Sequence, residues 1–308
     1  MNKILRIWLK NLQCNIMYAL ESDERFNRNE FKRRFGHYPN LKTPKTFVEK
    51  LLYLKQHYYN PLQNVCADKF LVSQYVQMCG YEDILKDVYQ VCSDPRDIDI
   101  SKLPDKFFIQ CSHTQGNNYV VDKSDTEKLE QIKKEYKYLL KRKHYKLLRE
   151  NCYKYIEPKV ICSEFLSEPG KKSLTDYKFY CFDGEPKYFM VSYGEFDHDV
   201  TNHKFDIEFN SIDNLFKKKA QIKAEDIEKP KNFERMVEIV KKLCKPFPHV
   251  RVDLYNLDGR IVFGEMTFYS AGGFVNGRGR VQEEVGDEEM NTRIGSWINL
   301  EKHKDFLV

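Results

Sequence analysis

The sequence predicts an α+β chain in which helices come first and strands last. Three observations carry this. Apolar residues recur at helical spacing over much of residues 1–104. Residues 171–308 carry two hairpin signatures, each with strand-like runs around an Asp-Gly turn. The 20 Tyr and 21 Phe in 308 residues are the aromatic content of a packed protein, not of a disordered one. The length suffices for two or three subdomains. Pattern changes divide the chain into a mostly helical region (1–104), a middle region (105–170) and a strand-rich region (171–308).

The first segment places Ile4, Leu5, Ile7, Trp8, Leu9, Leu12, Ile16, Met17 and Leu20 around Lys3, Arg6 and Lys10. It is too short and too charged to span a bilayer and has no small-residue cleavage site, so an amphipathic helix is expected. Such a helix either touches a membrane surface, which its basic charges and Trp8 favour, or packs on its own domain. Thr43-Pro44-Lys45-Thr46 reads as a helix start before Phe47, Leu51, Leu52 and Leu54. Asn60-Pro61 breaks that helix, and a second is expected from Ala67 to Met78, ending at Gly80.

Phe107 to Cys111 reads as a strand, followed by the polar loop Ser112 to Asn118 and a return strand at Tyr119-Val120-Val121. A long, basic helix is expected from Asp125 to Asn151, then a short strand from Val160 to Leu166. Asp176 to Phe182 and Pro186 to Tyr193 flank Asp183-Gly184. Phe233 to Cys244 is amphipathic. Arg251 to Tyr255 and Ile261 to Phe268 form the last hairpin, and a Gly-rich basic stretch runs from Ala271 to Arg280.

Composition limits function. Lys plus Arg (51) nearly balances Asp plus Glu (46), so the net charge of +5 gives no reason to expect a nucleic-acid partner. The nine Cys are odd in number and form no C-x-x-C pair, which fits reduced thiols in a cytoplasm and no zinc site. The chain lacks a P-loop, a Rossmann glycine fingerprint and a G-x-S-x-G elbow.

Four segments carry candidate chemistry. In the last hairpin, Asp253 and Glu265 interrupt apolar strands, and Thr267 shares a face with Glu265. Buried carboxylates need a cation, so the pair either holds Mg²⁺ or is neutralised by Arg251 or Lys178. A bare two-residue turn would put Asp253 and Glu265 on opposite faces. A shared metal therefore requires a three-residue loop, Leu257-Asp258-Gly259, or an equivalent bulge. In the loop after Phe107 to Cys111, His113, Gln115, Gly116 and Asn117 would lay backbone N–H groups on phosphates, or form a plain hairpin turn. In Asp176-Tyr177-Lys178-Phe179, Lys178 shares a face with Asp176 and serves as a phosphate contact or as that residue's ion-pair partner. In the Gly-rich stretch, Arg278 and Arg280 offer forked donors for a second substrate, or belong to a flexible basic loop.

Together these segments resemble the TupA-like branch of the ATP-grasp superfamily, of the teichuronopeptide and capsule polysaccharide type. The resemblance begins at Leu41-Lys42-Thr43-Pro44-Lys45-Thr46-Phe47-Val48-Glu49-Lys50-Leu51. It continues through Asn60-Pro61-Leu62, Ala67-Asp68-Lys69 and His113 with Gly116 and Asn117. It is strongest at Asp176-Tyr177-Lys178-Phe179, Phe182-Asp183-Gly184, Arg251-Val252-Asp253-Leu254-Tyr255 and Gly264-Glu265-Met266-Thr267-Phe268. It implies two α+β subdomains clamping ATP, with residues 105–170 as the lid and 171–308 as the metal-bearing part. It implies a hinge at Glu164-Phe165-Leu166 and Mg²⁺ on Asp253 and Glu265, with Thr267 where many ATP-grasp enzymes have Asn. Lys178 and Arg251 would neutralise charge in a ligase that joins a sugar- or amino-acid-derived carboxylate to an amine through an acylphosphate. A glycosyl- or phosphotransferase of the same pathway, or a nucleotide-binding protein without turnover, are the alternatives. Family members carry Lys on the strand before the His-Gly loop. Here Gln110 stands there, so Lys106 or Lys159 would have to supply that charge.

Overall fold

The computed structural model describes residues 3–168, 170, 173–193, 201–216, 227–275 and 285–308. The helices are α1 (Lys3–Leu20), α2 (Asp23–Phe35), α3 (Phe47–His57), α4 (Pro61–Ala67), α5 (Val72–Met78), α6 (Thr126–Leu139), α7 (Tyr145–Leu148), α8 (Phe233–Cys244) and α9 (Glu288–Ser296). The strands are β1 (Val88–Cys92), β2 (Lys106–Cys111), β3 (Tyr119–Asp122), β4 (Val160–Glu164), β5 (Asp176–Phe182), β6 (Glu185–Tyr193), β7 (Thr201–Asp206), β8 (His249–Leu257) and β9 (Arg260–Thr267). They form two antiparallel sheets, ordered β1-β4-β2-β3 and β7-β6-β5-β8-β9.

Local chemistry sets the helix ends. Thr46 caps α3 in a reciprocal capping box with Glu49. Asn60 caps α4 with Pro61 in its first turn. The helix expected over Ala67–Met78 starts five residues late, because the Asp68 carboxylate accepts the Phe70 and Leu71 N–H groups and turns the chain first. The helix expected over Asp125–Asn151 ends at Leu139. Beyond it the chain turns so that the Arg142 carbonyl meets His113 and the Arg142 Nε donates to Asn11. β1 lies in the region expected to be mostly helical, and it pairs with β4.

Each sheet packs one face on helices, and β5 is buried along its whole length because Tyr180 and Phe182 pack on the other face with Tyr188 and Trp297. Phe107 and Ile109 of β2 pack with Val160 and Cys162 of β4 on Leu129, Ile132, Tyr136 and Leu139. In the five-stranded sheet Phe179, Phe189 and Val252 pack on α8 through Phe233, Met236, Ile239 and Val240. The Phe179, Phe189 and Phe205 rings stack in sequence across β5, β6 and β7. Alternation then sends Lys106, Phe108 and Gln110 of β2, and Asp176 and Lys178 of β5, to the opposite faces.

The β8–β9 hairpin decides the site. Leu257 pairs with Arg260, so the turn is the two residues Asp258-Gly259, both with positive φ (48° and 95°) as a type I′ turn requires. This replaces the three-residue loop. The register instead shifts at a bulge beyond Asp253, which absorbs Gly264 and sets Asp253 directly opposite Glu265. A Cβ on Gly264 would lie 2.9 Å from the Asp253 carbonyl oxygen, so the bulge needs glycine.

Candidate active site

A cleft of about 1010 Å³ lies between the free faces of the two sheets. The five-stranded sheet supplies its polar floor. Lys178 on β5 is directly opposite Asp253 on β8, which is directly opposite Glu265 on β9, so three charged side chains form one row across three strands. Arg251 lies two residues from Asp253 on the same face. Its Nε and Nη2 donate to the two Asp253 carboxylate oxygens at 2.7 and 2.6 Å, a bidentate pair. The same Nη2 lies 3.3 Å from a Glu265 oxygen and 3.2 Å from the Thr267 hydroxyl, which itself donates to Glu265 at 2.9 Å. Lys178 donates to Asp176.

The two facing carboxylates differ in environment. Asp253 is 4% exposed, and burial pushes its carboxyl up against the pull of Arg251 and Lys178. Glu265 is 37% exposed toward the cleft, and Lys69 at 2.8 Å holds it well below the usual carboxylate range. Burial disfavours the Arg251 charge, yet Asp253 outweighs this and keeps its affinity for the proton raised.

The opposite wall comes from the four-stranded sheet and the segment before it. Lys106 lies 4.4 Å from the Phe165 ring centre, and Lys86 lies 5.5 Å from that of Phe108. Burial lowers Lys86 to about 8. Glu164 ends β4, where its two oxygens accept from Arg260 at 2.6 and 2.8 Å, tying one sheet to the other.

Hard oxygen donors suit Mg²⁺, which takes one or two protein carboxylates and completes its shell with water and phosphate. Asp253, Glu265 and the Thr267 hydroxyl are such a set. Among the described residues no group of three or more acidic, His or Cys side chains gathers as a metal cage. Arg251 and Lys69 already engage both carboxylates, the neutralised arrangement expected as the alternative to a metal, so a metal shared with phosphate would have to displace these contacts.

The family model described as TupA-like ATPgrasp matches residues 49–290. The chain belongs to the TupA-like ATP-grasp family. Its two antiparallel sheets with flanking helices are an α+β ATP-grasp fold. Similar solved structures include D-alanine–D-alanine ligase from Bacillus anthracis (13% identity, TM-score 0.45, covering 81% of this chain and 72% of that one). They also include the ATP-grasp ligase PsnB complexed with its minimal precursor (12%, 0.41, 78% and 62%) and PsnB with Mg and ADP (11%, 0.37, 72% and 57%). The chain spans 62% of the length of PsnB in the precursor complex. No curated protein matches the sequence.

In this TupA-like chain the cleft brings together Lys178, Arg251, Asp253, Glu265, Gln110, Glu164, Phe165 and Leu166. Thr267 lies behind Glu265, 6% exposed. Four expected nucleotide contacts lie elsewhere. His113 is buried with Nε2 3.1 Å from the Arg142 carbonyl, and burial lowers it to about 4, so it is a neutral packing residue. Gly116 and Asn117 form a left-handed turn (φ 70° and 56°), and only the next residue, Asn118, reaches the cleft wall. Lys159 pairs with Glu157 at 3.3 Å and does not line the cleft. Arg278 and Arg280 fall outside the described residues.

Sequence reasoning missed Lys69 and Lys86 as cleft cations. Lys69 lies in the Ala67-Asp68-Lys69 motif, so its place in the resemblance was a usable signal. Lys86 precedes an unforeseen strand and had none.

Proposed function

We propose that this chain is an ATP- and Mg²⁺-dependent ligase joining a carboxylate to an amine, and that it acts on sugar- or amino-acid-derived substrates of surface polysaccharides in the cytoplasm. One observation carries the reading: Asp253 and Glu265 are held opposite each other, beside Arg251, Lys178 and Lys69, on the floor of a cleft large enough for a nucleotide. Family membership supports the ATP and the reaction class. The polysaccharide assignment rests on the resemblance noted above.

Asp253 and Glu265, backed by Thr267, would hold the metal, which when bound neutralises phosphate charge. Arg251 orients Asp253 through its bidentate pair and opposes the rise in proton affinity that burial causes. Lys178 and Lys69 bring fixed positive charge to the floor, and Lys86 and Lys106 bring it to the opposite wall, where Gln110 supplies none. Lys106, not Lys159, stands in for the missing strand lysine. Backbone groups at Phe165 and Leu166 would face the base, while the Glu164 side chain is engaged by Arg260. The protein's contribution to phosphoryl transfer is alignment and charge compensation. The acylphosphate carbon would then be attacked by the amine, with phosphate leaving.

The decisive experiment is ATP calorimetry with and without Mg²⁺ on wild type and Asp253→Asn. The expected result is metal-dependent binding that the substitution weakens, followed by ADP release when acids and amines are supplied. Absence of binding under both conditions would sink the ligase reading.

We also propose that α1 rests on an anionic membrane surface. Its packed face is Ile4, Ile7, Asn11, Cys14 and Tyr18, whereas Leu5, Trp8, Leu9, Leu12 and Ile16 are between 40% and 50% exposed along one outward stripe. Arg6 and Lys10 border the stripe, and the helix has no acidic residue. Among the described residues no helix is long and apolar enough to cross a membrane.

A further inference from the structure

A tight turn just beyond β9 joins the floor of the cleft to a fully buried lysine. In this turn, Ser270–Gly273, the residues Ala271, Gly272 and Gly273 are all left-handed (φ 50°, 68° and 81°). Glycine adopts that conformation readily, but for Ala271 it is costly, so the turn has to be held from outside. Lys55 on α3 supplies the hold. Its Nζ donates to the Gly272 carbonyl at 2.6 Å and to the Leu148 carbonyl, at the end of α7, at 2.8 Å. It also lies 4.1 Å from the Phe274 ring centre. Leu148 presses so closely on the turn that a Cβ on Gly272 would come within 2.5 Å of its side chain.

A lysine is a costly way to fill a core. Lys55 is wholly removed from water, with the buried Glu150 as the nearby opposite charge, and Leu or Met would occupy the same volume without that desolvation. What the lysine adds is the position of the turn, and what the turn presents is Ser270. The buried Ser270 hydroxyl lies 3.3 Å from Arg251 Nη1. The other terminal nitrogen of that guanidinium, Nη2, meets Asp253, Glu265 and Thr267. Ser270 is outside the oxygen set that would hold a metal, so its contact with Arg251 need not yield when the others do.

We infer that Lys55 is a positioning residue for the cleft: by holding the Ser270–Gly273 turn against α7 it fixes the Arg251 guanidinium, and through it the Asp253 carboxylate. Lys55 touches neither of them and does not line the cleft. The inference rests on the nucleotide reading of the cleft, but not on which acid or amine is joined.

The test combines hydrogen exchange with ATP calorimetry in Mg²⁺, both run well below the melting temperature of each variant. In the wild type the Gly272 and Phe274 amides donate to the Tyr269 and Ala271 carbonyls at 2.8 and 3.4 Å. Lys55→Met should speed their exchange and weaken ATP binding by about tenfold. Gly272→Ala, which leaves Lys55 in place but drives the turn off Leu148, should do the same. Ser270→Ala should leave exchange unchanged and weaken ATP binding by about threefold. The double variant Lys55→Met/Ser270→Ala should bind no worse than Lys55→Met alone, because both changes break one line of contacts. Lys55→Gln keeps a donor and should show smaller losses of the same kind, and it replaces Lys55→Met if that variant does not fold. Unchanged exchange in Lys55→Met, wild-type ATP affinity once the turn is released, or losses that add in the double variant would each overturn the inference. A wild type that binds no ATP would remove the cleft reading and this inference together, whereas equal ATP binding by every variant would remove the inference alone.

Discussion

Individual charges in the cleft have separable jobs, and Lys86 gives the clearest test. Burial lowers its proton affinity to about 8, below the ordinary lysine value of 10.5. A bound triphosphate favours the charged form, so nucleotide binding should take up a proton above that pH. The sign follows: ATP affinity is full below about 8 and falls as pH rises through it, as the free protein loses the charge. Calorimetry from pH 7 to pH 9.5 should show this decline in the wild type and a flatter profile in Lys86→Met. A profile identical in both proteins would exclude Lys86 from the phosphate site. The same scale explains His113. A His beside Gly in a polar loop looks like a phosphate reader in the sequence, but nothing in that string reveals that the ring turns inward to the Arg142 carbonyl.

At the scale of elements, the β8–β9 hairpin shows what was legible and what was not. Its strands, its Asp-Gly turn and the requirement that Asp253 and Glu265 share a face were all readable from alternation and turn chemistry. Where the extra residue sits was not, because loop and bulge satisfy the same parity. The choice of Gly264 is made by the close approach of the Asp253 carbonyl, a tertiary fact. Gly264→Ala should therefore cost about 1–3 kcal/mol in urea unfolding and weaken Mg²⁺-dependent ATP binding along with it. Unchanged metal dependence would mean that the carboxylates do not need this register.

The helix α1 was legible as amphipathic, but its two outlets were not distinguishable without knowing which arc packs. The more apolar arc faces outward, and Trp8 in it is a built-in probe. Vesicles containing anionic lipid should blue-shift and enhance tryptophan emission and sediment the protein, whereas neutral vesicles and Leu12→Glu should do neither. Equal sedimentation with Leu12→Glu would remove the stripe from the account. Breaks in the predicted long helices were illegible for another reason: Asp68 and Arg142 redirect the chain through contacts with its own backbone and with distant residues, and no local periodicity records these.

Over the whole molecule, the two sheets have separate cores and meet across the cleft proposed to hold the nucleotide, so their relative position matters more to function than to stability. The Arg260–Glu164 pair bears on that position. It joins the first residue of β9 to the last residue of β4, next to Phe165 and Leu166. Arg260 is 49% exposed, and exposed ion pairs contribute about 0–1 kcal/mol even when well formed. Arg260→Ala should thus move the urea midpoint little. It should nevertheless weaken ATP binding by about tenfold, since the backbone proposed to face the base loses the contact fixing it against the sheet proposed to hold the metal. Glu164→Gln, which keeps one neutral hydrogen bond to Arg260, should fall between. If stability and affinity dropped in proportion, the pair would be an ordinary structural bridge; if neither changed, the backbone of β4 alone would set the hinge, and the cleft would be preformed without the clamp.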